Sequence, residues 1–287
     1  MADKRPPGTL GVDLRKPGLR VCGLCGEVRE MTKAHVPPQA AGNRDKVTCA
    51  TVRIHNQVRS NGRPAAGGMW LRGLCGDCNS LAGLHYDAAY GDFAAALRTY
   101  TRAMPLLHLP RPDPAPPVRL APGRVARSIL IGMFATTPHL RVLFPGLATD
   151  LRERRDHITM PDGATLRLAL YPYRGTRLAS MFNAVRVLRS RRHYDVFSEV
   201  YFRPLAWSLT SSGRGNVESM GESVFDNPSW AIVDDWIQYG DDVFTVDLRD
   251  LCRQGIPQVR HPLLGDDQND WVQFFNDEVT AIFEGQC

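Results

Sequence analysis

The chain has 287 residues, 43% apolar and 23% charged, which is enough apolar material for the core of one large or two ordinary domains. It has no apolar run long enough to span a membrane, and its charged, proline-containing start lacks the apolar stretch of a secretory signal. The net charge of +5 hides an asymmetry, because residues 1–220 carry +16 and residues 221–287 carry −11. A basic body suits a polyanionic partner such as nucleic acid. An arginine-rich composition and an acidic end that folds back on the body are the alternative readings.

The predicted elements divide the chain into four parts. Residues 1–20 are rich in proline, glycine and charge, and predict an extended arm. Residues 21–104 predict strands and loops, including a strand or hairpin over 47–58, followed by a helix over 80–104. The seven prolines within 105–122 predict a stiff linker and a domain boundary. Residues 123–287 predict an α+β domain, with helices at 123–136, 138–155 and 230–238 and strands at 165–173, 196–210 and 243–248.

Two short cysteine pairs are the most informative motif. Cys22 and Cys25 form one C-x₂-C pair, and Cys75 and Cys78 form the other. Two such pairs in a chain without a secretory signal indicate a structural zinc site with four thiolate ligands and a cytoplasmic protein. The remaining cysteines are interpreted as ordinary thiols. A site closed by four sulfurs would hold the fold without activating water, so any catalysis needs a second site.

The order of motifs around these pairs resembles the HNH endonucleases, whose ββα-metal core often carries a four-cysteine zinc site. The matching segments are Cys22-x-x-Cys25, Ala34-His35-Val36-Pro37, Gly67-Gly68 and Leu74-Cys75-x-x-Cys78-Asn79. The resemblance covers about residues 21–100. It implies an α+β chain in which a zinc-stapled, HNH-like ββα-metal domain is followed by an α+β C-terminal domain.

The resemblance also implies a chemistry. His35 matches the general base that polarises water, and Asn79 matches the position that contacts a catalytic divalent ion, Mg²⁺ or Mn²⁺. Two positions depart from the family pattern. Ala34 stands where the family has a metal-binding carboxylate, and no asparagine lies about five residues before Cys75 to orient the histidine. Asn61, Asp77, His85 and Asp87 are the substitutes that the sequence offers, and spacing selects none of them.

Each of these residues has a structural alternative. His35 would then bond a loop carbonyl near the prolines that follow it, Asn79 would cap the N-terminus of the next helix, and His85 would be an ordinary helix residue. Four arginines between the cysteine pairs are candidates for phosphate contacts or, alternatively, part of a solvated face: Arg53, Arg59, Arg63 and Arg72.

The expected function is therefore an HNH-type endonuclease that hydrolyses nucleic-acid phosphodiesters, with DNA favoured, using a divalent metal and His35. The alternative is a zinc-binding module without catalysis that binds nucleic acid or a protein partner. Ala34 favours this alternative. The C-terminal domain would position the substrate or recognise a protein partner.

Overall fold

The computed structural model describes residues 17–44, 47–53, 57–65, 67–102, 117–171, 176–187, 191–211, 230–248 and 270–276. Three predicted segments lie outside this described part: most of the arm, the linker up to residue 116 and the acidic end after residue 276.

The described elements mix helix and strand, as predicted. The strands are β1 Leu19–Val21, β2 Val28–His35, β3 Val47–Arg53, β4 Gln57–Ala65, β5 Trp70–Cys75, β6 Val118–Leu120, β7 Ala164–Leu170, β8 Thr176–Val187, β9 Arg191–Phe202, β10 Leu205–Ser211, β11 Ala231–Ile232, β12 Phe244–Val246 and β13 Asp270–Asn276. The helices are α1 Gly76–His85, α2 Asp87–Arg102, α3 Pro122–Thr136, α4 Leu140–Leu143 and α5 Pro145–Glu153, with 3₁₀ turns η1 Gln39–Ala41 and η2 Asp234–Tyr239.

Within the described part, the strands form sheets of three, eight and two strands. The small sheet has the order β1-β2-β5, and the two-stranded sheet pairs β12 with β6. The large sheet runs β11-β7-β10-β9-β8-β13-β3-β4 and is antiparallel except at β13, which is parallel to both of its neighbours. The β3–β4 hairpin, which was predicted from the alternation over 47–58, lies at one edge of the large sheet.

The cysteine pairs lie in the small sheet and the helix that follows it. β2 pairs antiparallel with β5, and α1 begins directly after β5. The first cysteine pair follows β1, which pairs with β2, so the predicted arm ends in a strand from Leu19 onward. This arrangement brings two segments about fifty residues apart to the same end of one sheet.

Helix α3 packs directly on the cysteine-bearing elements. A Cβ added to Gly23 would lie 2.2 Å from the backbone oxygen of Phe134 in α3. A Cβ added to Gly73 would lie 2.0 Å from the backbone oxygen of Ala135, also in α3. One buried cluster accordingly extends from Cys22 to Leu248. The domain boundary predicted at 105–122 stays a prediction. The described residues before and after this segment contribute to the same buried core.

Several predicted elements are interrupted in the structure. The helix predicted over 80–104 begins earlier, at Gly76, and breaks at Tyr86 into α1 and α2. The helix predicted over 138–155 divides at Pro145 into α4 and α5, because proline donates no backbone hydrogen bond and starts a helix more readily than it continues one. The strand predicted over 196–210 was expected to be broken or to lie at a sheet edge at Pro204. The chain turns there, and the two halves form the antiparallel pair β9 and β10.

Candidate functional site

The first cysteine pair lies in a tight turn between β1 and β2. The Gly26 amide donates to the Cys22 carbonyl at 3.0 Å, and the Cys22 amide donates to the Glu27 carbonyl at 2.9 Å. Gly26 has a φ of +78°, a conformation that residues with a Cβ rarely adopt. The turn places Cys22 and Cys25 side by side, with Cys22 buried and Cys25 partly exposed.

The second pair lies at the junction of β5 and α1. Cys75 is the last residue of β5 and the N-cap of α1, and Cys78 is in the first helical turn. The free amides of a helix N-terminus stabilise nearby negative charge, such as that of a cluster of four metal-bound thiolates. The Cys75 amide also lies 3.4 Å from Cys22 Sγ, as expected for an N–H···S hydrogen bond.

The four sulfurs converge on one point. All four Sγ atoms lie within 4.8 Å of one another, and Cys25 and Cys75 are 3.9 Å apart. That distance is far too long for a disulfide. It matches the separation of about 3.8 Å between sulfurs in a tetrahedron with zinc–sulfur bonds of about 2.3 Å. The donor set therefore fits a zinc ion, as the sequence predicted.

Proton affinity differs among the four thiols. The pKa of Cys22 is lowered to about 4, mainly by a hydrogen bond from the Cys78 thiol. Burial raises the pKa of Cys25 to about 11, and the hydrogen bond to Cys22 raises the pKa of Cys78. Thiolates in such close contact repel one another, so the presence of four thiolates depends on a cation between them.

One side of the cysteine cluster faces a pocket of about 210 Å³. Across it, Arg29 pairs with Asp77 of α1 at 2.6 Å and also contacts Glu27. The same pocket is lined by Arg152 and Glu153 of α5. The cluster is thus buried on the side of β5 and partly exposed at Cys25.

His35 is the last residue of β2, and its ring is held by the glycine loop before β5. Its Nε2 lies 2.9 Å from the Gly67 carbonyl, and the side-chain amide of Gln39 lies 3.1 Å from the same nitrogen. The two contacts require different tautomers. With its proton on Nε2, the ring donates to the Gly67 carbonyl, meets Gln39 through the amide oxygen and keeps its lone pair on Nδ1; with its proton on Nδ1, Nε2 accepts from the Gln39 NH₂ and the bond to Gly67 is lost. The bond to Gly67 is the loop-carbonyl contact of the structural alternative, and it also orients the ring.

Burial lowers the pKa of His35 below its ordinary value of 6.5. The hydrogen bond to Gly67 opposes this shift, and the positive charge of Lys33 adds to it. The imidazole is therefore neutral at physiological pH, which is the form that accepts a proton.

Asn43 fixes the loop that follows His35, a role that sequence reasoning missed. Its buried side chain donates to the Pro37 carbonyl at 2.6 Å and to the Met69 carbonyl at 2.8 Å, and it accepts from the Met69 amide at 2.6 Å. Gly68 packs against it so closely that a Cβ would lie 2.2 Å from the Asn43 carbonyl oxygen. These contacts join the end of β2 to the start of β5. The only available signal was Asn-Arg-Asp after a glycine, which is typical of any turn.

Asn79 lies one turn into α1, so the predicted N-cap role is wrong: Cys75 occupies that position. Its Nδ2 donates to the Lys33 carbonyl at 3.0 Å. Because Lys33 precedes His35 by two residues on β2, this bond brings the Asn79 amide to the strand that carries the histidine. The side-chain oxygen of Asn79 is not used by this bond.

None of the described substitutes places a carboxylate beside His35. Ala34 is buried, Asp77 pairs with Arg29, and Asp87 accepts a hydrogen bond from Ser128 at 2.8 Å. His85 ends α1, where its ring contacts Tyr86, and the side chain of Asn61 lies outside the described part. Among the described residues, the four cysteines form the one group of three or more His, Cys, Asp or Glu side chains whose ligand atoms converge.

The four candidate arginines are not brought onto one element. Arg53, Arg59 and Arg63 belong to the β3–β4 hairpin of the large sheet, and their side chains lie outside what the structure describes. Arg72 belongs to β5, where its guanidinium donates to the Met31 carbonyl at 2.8 Å. Arg72 also lies against the Trp70 ring, 5.8 Å from its centre.

Comparison with known proteins adds no relative. No family model, curated protein or solved structure matches the chain. In the described ranges, no helix combines the length and apolar character needed to cross a bilayer. The site is therefore defined by its own geometry: four convergent cysteines, an oriented histidine and an asparagine held against the same strand.

Proposed function

We propose that this protein is an HNH-type endonuclease that hydrolyses nucleic-acid phosphodiesters, with DNA as the favoured substrate. One observation carries the proposal: Nε2 of His35 lies 2.9 Å from the Gly67 carbonyl, and the tautomer that donates there presents the lone pair of Nδ1. The order of β2, β5 and α1, with the cysteine cluster at their junction, supports it as the arrangement expected of a ββα-metal core.

In this proposal, Cys22, Cys25, Cys75 and Cys78 bind one structural zinc ion. Four sulfur ligands leave no open position, so the ion stabilises the fold and does not bind substrate. Its binding free energy is largely folding free energy, since the two cysteine pairs are far apart in the unfolded chain.

His35 acts as the general base. Its Nδ1 accepts a proton from a water molecule as the water oxygen attacks phosphorus, and the bond from phosphorus to the leaving sugar oxygen breaks. The leaving oxygen takes a proton from solvent. The bond to Gly67 and the loop held by Asn43 keep the ring in one orientation during this step.

A divalent ion, Mg²⁺ or Mn²⁺, would stabilise the negative charge that develops on the phosphate. The described residues fit this ion incompletely. Asn79 offers one amide oxygen, whereas these hard cations favour carboxylates, and Ala34 supplies none. We therefore assign no step of the reaction to the ion.

Ala34 favours one alternative, a zinc-binding module that kept the scaffold and lost catalysis. Such a module would bind nucleic acid, or a protein partner through the C-terminal region. The two functions differ in a single measurable outcome, because only the enzyme breaks a phosphodiester bond.

Cleavage of supercoiled plasmid in the presence of Mg²⁺ or Mn²⁺ tests the proposal. The wild type should nick the plasmid, and His35→Ala should lose at least about 100-fold in rate, the contribution of a general base. His85→Ala is the matched control, since it removes a histidine from the end of α1 and should retain activity. Equal cleavage by wild type and His35→Ala would refute the role of His35, and binding without any cleavage would establish the module.

A further inference from the structure

We propose that Lys33 binds the scissile phosphate at the His35 site. This inference rests on the proposed function, since it names the residue that recognises the substrate there. Ala34 supplies no carboxylate beside His35 to recruit a cation, and the one converging group of His, Cys, Asp or Glu ligands among the described residues is the four cysteines, whereas a phosphodiester carries a negative charge that must be compensated.

Lys33 lies on the same face of β2 as His35. The two residues flank Ala34, which is buried, while Lys33 is exposed and His35 is half-buried. Alternate residues of a strand point to the same face. The Lys33 ammonium lies 4.5 Å from the centre of the Trp70 ring, and Trp70 is the residue paired with His35 across the sheet.

The carbonyl of Lys33 accepts from Asn79, which ties this point of β2 to α1. The β2–β5 register shifts opposite Lys33, where β5 carries one extra residue. Because the extra residue is in β5, Lys33 and His35 keep the alternation of β2. The aromatic contact holds the long side chain above the strand, which lowers the entropy cost of binding a phosphate.

The ammonium retains its donors for a ligand. Within the described part of the chain, the exposed Lys33 side chain contacts the Trp70 ring and pairs with no carboxylate, and an ammonium has three N–H donors to offer a phosphate. Its charge also reaches the imidazole, since it contributes to the lowered pKa of His35. A phosphate oxygen bound at this ammonium lies on the face of β2 from which His35 acts.

Binding of a short fluorescent DNA duplex, without divalent ions and over a series of salt concentrations, tests the inference. Lys33→Ala should weaken binding about tenfold and reduce the slope of log affinity against log salt by about 1, the effect of one lost phosphate contact. Lys33→Arg should restore the binding, because arginine also binds phosphate. Arg119→Ala is the matched control, since it removes an exposed cation from β6 in a different sheet.

Zinc content and the urea midpoint should be the same in all four proteins, because Lys33 is exposed. Unchanged affinity and salt slope in Lys33→Ala would overturn the inference. If the wild type binds but never cleaves, the nuclease proposal fails, while weaker binding by Lys33→Ala still supports Lys33 as the phosphate ligand.

Discussion

At the scale of single residues, Asn43 explains how the site is held. The resemblance called for an asparagine shortly before Cys75, and none is present there. Asn43, which precedes Met69 by 26 residues, reaches this region in the structure. Its side chain bonds the Pro37 carbonyl, the Met69 carbonyl and the Met69 amide, which lie between the end of β2 and the start of β5. Sequence spacing could not identify this residue, because the bonds depend on how the loop returns to the sheet.

Asn43→Ala should destabilise the fold by about 3 kcal/mol, because it leaves buried backbone groups without partners. Asn79→Ala should cost about 1 kcal/mol or less, since it removes one bond at a partly exposed position. Urea unfolding of both variants measures the difference. Equal stability of the two variants would mean that Asn43 does not hold the loop.

The protonation of His35 predicts the pH dependence of cleavage. Its pKa in the folded protein lies below 6.5, so the neutral form, and with it the rate, should reach half-maximum below pH 6.5 on the acid side. The stability of the fold should also fall at acid pH. Because the His35 pKa is lower in the folded protein than in the unfolded chain, the unfolded chain binds the proton more tightly, and the free energy of unfolding decreases as pH drops below about 6.5. Rates of plasmid nicking by wild type and His85→Ala should show the same acid limb. A half-maximum above pH 7 would contradict the assignment.

At the scale of elements, the cysteine motifs were the most predictive part of the sequence. A C-x₂-C pair fixes two sulfurs within one turn, so local spacing alone predicts each half of the cluster. The broken helices were not predictable in the same way. Alanine-rich sequence continues through Tyr86, yet this side chain is buried against Arg127 of α3, and tertiary packing ends α1 there.

The contact between β5 and α3 makes its own prediction. Gly73→Ala should destabilise the protein by about 2–3 kcal/mol, because the added methyl group would overlap the backbone of α3. Gly83→Ala is the control, since it lies in α1 with open space around it and should stabilise the helix by about 0.5–1 kcal/mol. Thermal unfolding of both variants checks the opposite signs, and a stabilising Gly73→Ala would show that α3 is not packed there.

At the scale of the whole molecule, the α+β class was predictable and the long-range packing was not. Periodicity indicated α3 and β7, but nothing in it showed that α3 would lie against Gly23 and Gly73. Similarly, Trp207 of β10 donates to the Tyr90 hydroxyl of α2 at 2.9 Å, joining segments more than a hundred residues apart. Such contacts depend on side-chain fit across the core, which local patterns do not encode.

In the proposed function, a zinc ion bound by the four cysteines would stabilise the small sheet that carries Lys33 and His35. The basic charge of residues 1–220 would attract the nucleic acid, and Lys33 would select where the phosphate binds. Removing one ligand with Cys75→Ser should release the metal and destabilise the small sheet, because the ion's binding energy is part of the folding energy.

X-ray absorption at the zinc edge of the purified full chain tests the central claim most directly. One zinc ion per chain, surrounded by four sulfur atoms at about 2.3 Å, is the predicted result, and Cys75→Ser should lose this signal. A folded wild-type protein without zinc, or a first shell containing nitrogen or oxygen, would contradict the account.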